Sequence, residues 1–403
     1  MTVTEIVRSY YAARGAEAAA AIGQVADRVP SIRERLEAAE VSLEAITAAD
    51  LDAVRVLTKD ELPALQQARP PFGGLVAEGS PIARVFASPG PIYEVQLEGE
   101  DPWQWSAALA ACGVGVDDVV LNCFGYHLSP AGMMFDLACR AVGATVIPAG
   151  VGSVEVQARV VADVGVTAYI GLPSYLSALL EAYEQLGLPA ERWLVDKALV
   201  TAEPLPDALR AHLSTRVPTV LMAYGTAEAG LIGHEVEPGR GLAVPEHVFV
   251  QVCEPGTGVP VLDDSPGEVV VTMADEGTPL LRFGTGDVSR WQVVDGQPRL
   301  AGVLGRVGAA IKVRGMFVHP HQAADVLRDL GDVGLRSGRY VVVRVGDKDV
   351  LRLQMVPEAG ADVTALSAAA GERTRASLRV RAEIEVVDTL VEGDALVDAR
   401  GSM

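Results

Sequence analysis

The sequence has few residues of the kinds that cross-link a chain or bind metals. Its four cysteines have no metal-type spacing and largely apolar neighbours, so we predict small core residues in a reducing, cytoplasmic compartment. No apolar run approaches the roughly 20 residues that cross a bilayer, and the first thirty residues lack the apolar segment of a signal peptide. Lysine is also scarce, with four in 403 residues, the last being Lys348. These absences argue against a disulfide scaffold and a membrane-spanning protein.

Basic residues are far fewer than acidic ones, with 33 Lys and Arg against 53 Asp and Glu. The formal net charge is −20, which argues against nucleic acid or an anionic membrane as a partner. Residues 305–403 carry 14 basic and 14 acidic side chains, so the whole excess of negative charge lies in residues 1–304. We therefore predict a domain boundary near residue 305, with one domain over 1–304 and a second over 305–403.

The pattern of apolar residues predicts an α/β fold. Residues 1–70 have the periodicity of helices, with candidate N-caps at Ser31 and within Leu57–Leu62, and a strand-like run follows over Ile82–Ala87. From about residue 80 to 300, short β-rich runs alternate with amphipathic helical segments, which is typical of parallel sheets covered by helices. After Gly225 the strands follow one another without long helices, so we predict a small antiparallel β unit. Residues 305–403 are predicted to form a separate small α+β domain with a hairpin over 341–356.

Four short motifs occur in order along the chain. They are Ala223-Tyr-Gly-Thr-Ala-Glu228, Leu281-Arg-Phe-Gly-Thr-Gly-Asp287, Gly305-Arg306 and Ile311-Lys-Val-Arg-Gly315. Each motif alone is weak, but the ordered set resembles the adenylate-forming superfamily, and specifically the phenylacetate–coenzyme A ligase family. Further counterparts extend the resemblance over nearly the whole chain: Leu57–Leu62, Gly125–Gly132, Gly143–Pro148, Leu172–Tyr175, Thr201–Pro204 and Pro245–Phe249.

The resemblance implies both an architecture and a reaction. It implies a large AMP-binding-type N-terminal domain that holds the acyl pocket, and a small, mobile C-terminal lid hinged near Arg306. Enzymes of this family activate a carboxylic acid with ATP, release pyrophosphate and retain an acyl-adenylate. Coenzyme A then attacks the adenylate to give a thioester.

The resemblance also assigns candidate site residues. Asp287 corresponds to the acid that accepts the ribose hydroxyls, and Glu228 to the acid associated with Mg²⁺. Arg306 corresponds to the hinge arginine. The loop that reaches the site during thioester formation corresponds to Lys312, Arg314 and Gly315. Segments that line the adenine and acyl pockets correspond to Ala202, Glu203, Ala223, Tyr224, Gly225 and Thr226. Relatives enclose their aryl group at the positions of Tyr126, His127, Ser174 and Tyr175.

Three parts of the family's phosphate machinery are missing. Where relatives have a Ser/Thr/Gly-rich phosphate loop, this chain has Ser88, Pro89, Gly90 and Pro91, and proline has no N–H to offer a phosphate. Ala227 replaces the hydroxyl residue before the motif glutamate, and Asp394 lies where relatives carry the adenylation lysine. Each lost donor typically costs roughly 10²–10³ in rate, so we expect inefficient use of ATP and Mg²⁺.

Three functions are compatible with this pattern. The leading hypothesis is an ATP-independent acyltransferase that handles an aryl or related acyl thioester and uses coenzyme A or a phosphopantetheine thiol. In it, His127 deprotonates the incoming thiol, although a histidine that only fills the acyl pocket is an equal alternative. An acyl carrier protein is a candidate partner, and relatives are often homodimers. The alternatives are an ATP-dependent, AMP-forming acyl-CoA ligase with substituted site residues, and a non-catalytic ligand-binding or partner protein.

Overall fold

A computed structural model describes residues 1–43, 45–88, 92–307, 311–314, 316–318, 320–345, 348–378, 380–390 and 393–400. The chain divides into two units, Met1–Val303 and Leu304–Met403. None of the helices within the described ranges is both long and apolar enough to cross a membrane.

Helices occupy most of the first seventy residues, as predicted. The first helix begins at a capping box, in which the side chains of Thr2 and Glu5 each bond the backbone N–H of the other residue. A second capping box joins Thr58 and Glu61, where the sequence predicted a helix start. The elements of this segment are α1 (Val3–Val25), α2 (Pro30–Ala38), α3 (Ala48–Ala53), β1 (Leu57–Thr58) and α4 (Leu62–Ala68).

An antiparallel hairpin follows, formed by β2 (Ile82–Ser88) and β3 (Ile92–Leu97). It confirms the strand predicted just before the phosphate-loop position. Gln66 on α4 fixes the start of β3: its Nε2 donates to the Tyr93 carbonyl at 2.7 Å, and its Oε1 accepts the Tyr93 N–H at 2.9 Å.

A largely parallel sheet with helices on both faces forms the centre of the first unit. Its elements are α5 (Ser106–Ala111), β4 (Val119–Asn122), α6 (Ala131–Ala141), β5 (Thr145–Pro148), α7 (Val154–Val164), β6 (Ala168–Gly171), α8 (Pro173–Gln185), β7 (Lys197–Val200), α9 (Asp207–Leu213), β8 (Thr219–Thr226) and β9 (Gly230–His234). The strand order is β5-β4-β6-β7-β8-β9; β5, β4, β6, β7 and β8 are parallel, and β9 is antiparallel to β8. One hydrophobic core contains Trp105 and Phe135, and the other contains Val161 and Leu176, so apolar side chains cover both faces. The predicted α/β class is confirmed.

The predicted antiparallel unit follows this sheet. Its strands are β10 (Phe249–Cys253), β11 (Gly267–Met273), β12 (Leu280–Ser289), β13 (Trp291–Val294) and β14 (Gln297–Leu300). The order is β1-β12-β11-β10, with β1 parallel to β12 and the other pairs antiparallel. Along β10, the hydroxyls of Tyr10 and Tyr11 accept the N–H groups of Val250 and Val252, each at 3.0 Å. α1 therefore covers an edge strand.

The second unit is a small α+β structure, as predicted. Its elements are β15 (Gly305–Arg306), β16 (Ile311–Val313), β17 (Met316–Val318), α10 (Pro320–Gly331), β18 (Leu335–Val345), β19 (Lys348–Pro357), α11 (Val363–Leu378), β20 (Ala382–Val386) and β21 (Leu396–Asp398). Antiparallel β18 and β19 form the predicted hairpin and are flanked by β21 and β20 in parallel pairing. Val326, Tyr340 and Leu366 belong to its hydrophobic core.

Candidate functional site

The carboxyl ends of the parallel strands bring most of the predicted pocket residues to one edge of the central sheet. Ligands of open α/β sheets typically bind in the crevice at that edge. The ends of β4, β6, β7 and β8, with the segments that follow them, supply these positions. The residues concerned are Tyr126, His127, Ser174, Tyr175, Ala202, Glu203, Ala223, Tyr224, Gly225 and Thr226.

Asp287 lies on β12 and is buried against Tyr224. The Tyr224 hydroxyl donates to Oδ2 of Asp287 at 2.9 Å and lies 3.1 Å from Oγ1 of Thr285. Thr285 donates to the Val269 carbonyl at 3.0 Å and accepts the Asp287 N–H at 3.1 Å. The predicted ribose acid and a predicted pocket residue therefore belong to one hydrogen-bonded group with a fixed orientation.

The turn between β8 and β9 is tightly packed. A Cβ at Gly225 would collide with the Gly230 carbonyl and the Trp105 ring, so only glycine fits there. Oγ1 of Thr226 accepts the Ala229 N–H at 3.1 Å. The Thr226 oxygen therefore stabilises the turn as an acceptor.

The motif glutamate is paired with a lysine. Oε1 of Glu228 lies 2.7 Å from Nζ of Lys59, and the two side chains are 7% and 30% exposed. Across the described ranges, no group of three or more His, Cys, Asp or Glu side chains is arranged to hold a metal ion. These residues do not fit the divalent cation that the resemblance implies at Glu228.

The phosphate-loop position begins at the end of β2 and continues in sequence toward β3. Pro89, Gly90, Pro91 and the side chain of Ser88 lie outside the described residues. The Ala87 N–H donates to the Leu128 carbonyl at 2.9 Å, which ties the end of β2 to the loop after β4. A cavity of about 90 Å³ is lined by Ile92 and Glu94 of β3 and by Glu228. Glu94 is buried, so a buried acid lines this cavity together with Glu228.

Tyr126 directs its hydroxyl toward the protein. Nδ2 of Asn122 donates to the Tyr126 hydroxyl at 2.8 Å, and that hydroxyl donates to Oδ2 of Asp136 at 3.1 Å. Burial, and then the nearby Asp136 carboxylate, raise the pKa of Tyr126. The Tyr126 ring can therefore wall a pocket, while its hydroxyl is used by the chain itself.

The segments after β6 and β7 contact each other through side chains. Oγ of Ser174 donates to Oε2 of Glu203 at 2.5 Å. The Tyr175 hydroxyl donates to Oε1 of Gln157 at 2.7 Å. Ala202 has a φ of 68°, in the left-handed region that side chains other than glycine rarely adopt, so this segment is held in a specific shape.

His127 lies in the loop after β4, and its side chain is exposed. It directly precedes Leu128, whose carbonyl accepts a hydrogen bond from the Ala87 N–H at the end of β2. Both roles considered for His127, as an acid–base group and as a wall of the acyl pocket, stay predictions.

The C-terminal candidates are described within their own unit. Arg306 lies on β15 and is exposed, and Asp394 is exposed before β21. Arg314 has a φ of 50°, and its Nε donates to the Asp349 carbonyl at 2.9 Å. The side chain of Lys312 on β16, and Gly315 as a whole, lie outside the described residues.

Sequence reasoning missed several residues that hold the predicted ones. Lys59 pairs with Glu228, Gln66 fixes β3, and Asn122 and Asp136 hold Tyr126. Lys59 lies in the Leu57–Leu62 motif, and the scarcity of lysine in the chain was a signal that could have found it. The other three carry no local signal, because their roles depend on contacts between distant elements.

The sequence is similar to those of known proteins over most of its length. No family model matches the sequence. It is 28% identical over 364 residues to a phenylacetate-coenzyme A ligase of Thermus thermophilus, which covers 83% of this chain and 78% of that protein. The predicted resemblance is confirmed. A phenylacetate-coenzyme A ligase of Aromatoleum evansii is 27% identical over 272 residues, and this match spans 64% of the chain and 62%, less than two thirds, of that enzyme.

Solved structures show the same fold. An open conformation of 2-hydroxyisobutyryl-CoA ligase, in complex with 2-HIB-AMP and CoA, matches with a TM-score of 0.78 and 20% identity, covering 99% of this chain and 92% of that one. Apo MatB from Rhodopseudomonas palustris matches with a TM-score of 0.53 and 17% identity, over 77% of this chain and 65% of that one. The curated relatives are named as ligases, which favours the ligase hypothesis over the ATP-independent acyltransferase that the sequence placed first.

Proposed function

We propose that the protein is an AMP-forming acyl-coenzyme A ligase. In the first half-reaction, the carboxylate of a small acid attacks the α-phosphorus of ATP, the bond to the β-phosphate breaks, and pyrophosphate leaves. In the second, the thiol of coenzyme A attacks the acyl carbon, loses its proton and displaces AMP. The observation that carries this proposal is the similarity to a phenylacetate-coenzyme A ligase over 83% of the chain.

The Tyr224–Asp287 pair supports the nucleotide half of the proposal. A carboxylate oriented by a tyrosine hydroxyl is suited to accept hydrogen bonds from two ribose hydroxyls. Asp287 is buried, which strengthens such bonds by excluding water. Residues proposed to line the adenine and acyl pockets with it are Tyr126, Ser174, Tyr175, Ala202, Glu203, Ala223, Gly225 and Thr226.

The thioester half is assigned to the C-terminal unit. Arg306 would serve as the hinge, and Lys312, Arg314 and Gly315 would form the loop that contributes to thioester formation. Arg314 is oriented by its hydrogen bond to the Asp349 carbonyl, which is consistent with a preorganised loop. Both a domain rotation and coenzyme A binding remain part of the proposal.

We expect this protein to adenylate its acid more slowly than its relatives do. Asp394 lies where relatives have a lysine, and Ala227 offers no hydroxyl to the α-phosphate. Losses of positioned donors of this kind cost about 10²–10³ each, and such costs are not additive. The ligase proposal therefore predicts weak but acid-dependent turnover of ATP.

An ATP-independent acyltransferase is the second candidate. The observation that favours it is the cavity lined by Glu94 and Glu228, in which Glu94 is buried and Glu228 is paired with Lys59. A buried acid repels a polyphosphate, whereas an acyl thioester is already activated and needs none. In this candidate the exposed His127 would take the proton of the incoming thiol, from coenzyme A or from the phosphopantetheine arm of a carrier protein.

Pyrophosphate exchange separates the two candidates. The protein is incubated with ATP, labelled pyrophosphate and a panel of aryl and short-chain carboxylic acids. The ligase proposal predicts label in ATP only when a suitable acid is present, and a loss of at least tenfold in Asp287→Asn. Absence of exchange with every acid, together with acyl transfer from an acyl-CoA to a second thiol without ATP, would replace it by the acyltransferase.

A further inference from the structure

Lys59 is built into a rigid corner of the first unit. It follows β1, whose residues Leu57 and Thr58 pair with Phe283 and Gly284 of β12. Glu61 then accepts the Thr58 N–H at 2.9 Å. Two strands and a capping box therefore fix the backbone on which the Lys59 ammonium is carried.

Arg55 reinforces this corner from outside. Its guanidinium donates to both carboxylate oxygens of Glu61, at 3.0 and 2.6 Å. Both carboxylate oxygens of Glu61 therefore accept hydrogen bonds from Arg55 or from the capping box. The Lys59 ammonium instead contacts Glu228, at 2.7 Å, across 169 positions of sequence.

The backbone beside Glu228 is also anchored. Its neighbour Ala227 accepts the indole N–H of Trp103 at 3.1 Å through its carbonyl. The Glu228 side chain is 7% exposed. Burying a carboxylate at this level requires a compensating positive charge, and the Lys59 ammonium supplies it.

A divalent cation fits this arrangement poorly. Mg²⁺ requires oxygen ligands at about 2.0–2.1 Å in octahedral geometry and keeps several of its waters. An ammonium in contact with the only described carboxylate of the motif fills part of that coordination space and repels a second cation. Nor is Glu228 part of a described cluster of three or more metal-ligating side chains.

We propose that the Lys59 ammonium takes the place of a divalent metal ion at Glu228, so that the protein itself holds no metal there. Any Mg²⁺ used in catalysis then enters with the phosphates of ATP, which carry their own coordination sphere. Lys59 supplies a positive charge at Glu228, and Glu228 lines one cavity together with Ile92 and Glu94. The proposal rests on the proposed ligase function only where it treats this cavity as part of a nucleotide site.

Manganese binding to the nucleotide-free protein tests the proposal. Mn²⁺ is titrated into the wild type, Glu228→Gln, Lys59→Met and the double variant Lys59→Met/Glu228→Gln, and the enhancement of water-proton relaxation is measured. The wild type and Glu228→Gln are expected to bind Mn²⁺ identically. Lys59→Met is expected to bind Mn²⁺ more tightly than the wild type, and the double variant is expected to lose this gain. Arg69→Met, which removes one positive charge from an exposed pair with Glu34, controls for net charge.

Two results would overturn the proposal. One is a saturable Mn²⁺ site in the wild type that Glu228→Gln abolishes, since the metal would then be held in spite of Lys59. The other is a folded Lys59→Met that binds Mn²⁺ no better than the wild type. If Lys59→Met fails to fold, the comparison of wild type with Glu228→Gln still decides. The titration uses neither ATP nor an acid, so its outcome is independent of whether pyrophosphate exchange is found.

Discussion

At the scale of the residue, the hydroxyl of Tyr224 determines how Asp287 is presented. We expect Tyr224→Phe to lower the affinity for AMP about tenfold or more, because a hydrogen bond to a charged group contributes about 1.5–3 kcal/mol. Isothermal titration calorimetry with AMP measures the effect. Tyr183→Phe is the matched control, since its hydroxyl donates at 2.8 Å to the carbonyl of Pro189, in the segment that follows α8. Equal AMP affinities in the wild type and Tyr224→Phe would contradict the assigned role.

Glu61 makes stability depend on acid pH. Hydrogen bonds from Arg55 are the main cause that lowers the pKa of Glu61 from 4.5 to about 2. Because the folded-state pKa lies below the unfolded value, the stabilisation is complete above pH 4.5 and is lost as the pH falls toward 2. We therefore expect Glu61→Gln to be less stable than the wild type at neutral pH, with a difference that shrinks below pH 4.5.

Urea unfolding at a series of pH values measures this difference. Asp60→Asn, at an exposed neighbouring position, serves as control and should show no comparable change between pH 5 and 3. A wild-type advantage over Glu61→Gln that stays constant down to pH 2.5 would show that the Arg55–Glu61 pair does not act through the Glu61 charge.

Single residues were predictable from the sequence where a motif marked them. Asp287, Glu228 and Tyr224 all lie in ordered motifs, and a hydrogen bond joins Tyr224 to Asp287, while the roles of all three stay predictions. The residues that contact them were harder to predict, because Lys59 reaches Glu228 only through the pairing of β1 with β12. A two-residue strand has no periodicity of its own, so the sequence gives no sign of that pairing.

At the scale of the element, α1 protects the edge of β10. The Tyr10 and Tyr11 hydroxyls take up two N–H groups that an edge strand would otherwise leave exposed, and exposed edges promote association. Burial is the main cause that raises the pKa of Tyr10 to about 12, so its hydroxyl keeps its proton at neutral pH. Helix and strand are thus joined by specific polar contacts in addition to apolar packing.

Removing one of these contacts should destabilise the first unit. We expect Tyr10→Phe to lower the free energy of unfolding by about 1–3 kcal/mol, because the Val250 N–H is left buried without a partner. Tyr93→Phe, at a side chain that is 48% exposed, should change it by less than about 0.5 kcal/mol. Chemical denaturation of both variants makes the measurement. A Tyr10→Phe protein as stable as the wild type would mean that another group satisfies Val250.

The elements themselves were largely predictable. Buried parallel strands are short, continuous apolar runs, and the run over 168–172 corresponds to β6, Ala168–Gly171. The N-cap expected at Ser31 was wrong: α2 begins at Pro30, and Ser31 is buried in its first turn. Proline at the first helical position needs no N–H partner, so it displaced the cap by two residues, to Val29. Strand order was not predictable from local pattern, since it depends on contacts across the whole sheet.

At the scale of the whole molecule, charge and fold divide the chain at about the same place. The excess of negative charge lies in residues 1–304, and the two units meet between Val303 and Leu304. The resemblance was predictable because ordered motifs extend over nearly the whole chain. The activity was not predictable, because the motifs favour a ligase whereas the absence of the family's phosphate-binding residues argues against one.

The central claim is that a carboxylic acid is joined to coenzyme A at the expense of ATP. The most direct measurement is the stoichiometry of acyl-coenzyme A and AMP formed from an acid, ATP and coenzyme A, with both products quantified by mass spectrometry. The account predicts one AMP for each thioester, and no thioester when ATP is omitted. Thioester formed from an acyl donor at the same rate with and without ATP, and no AMP, would contradict it.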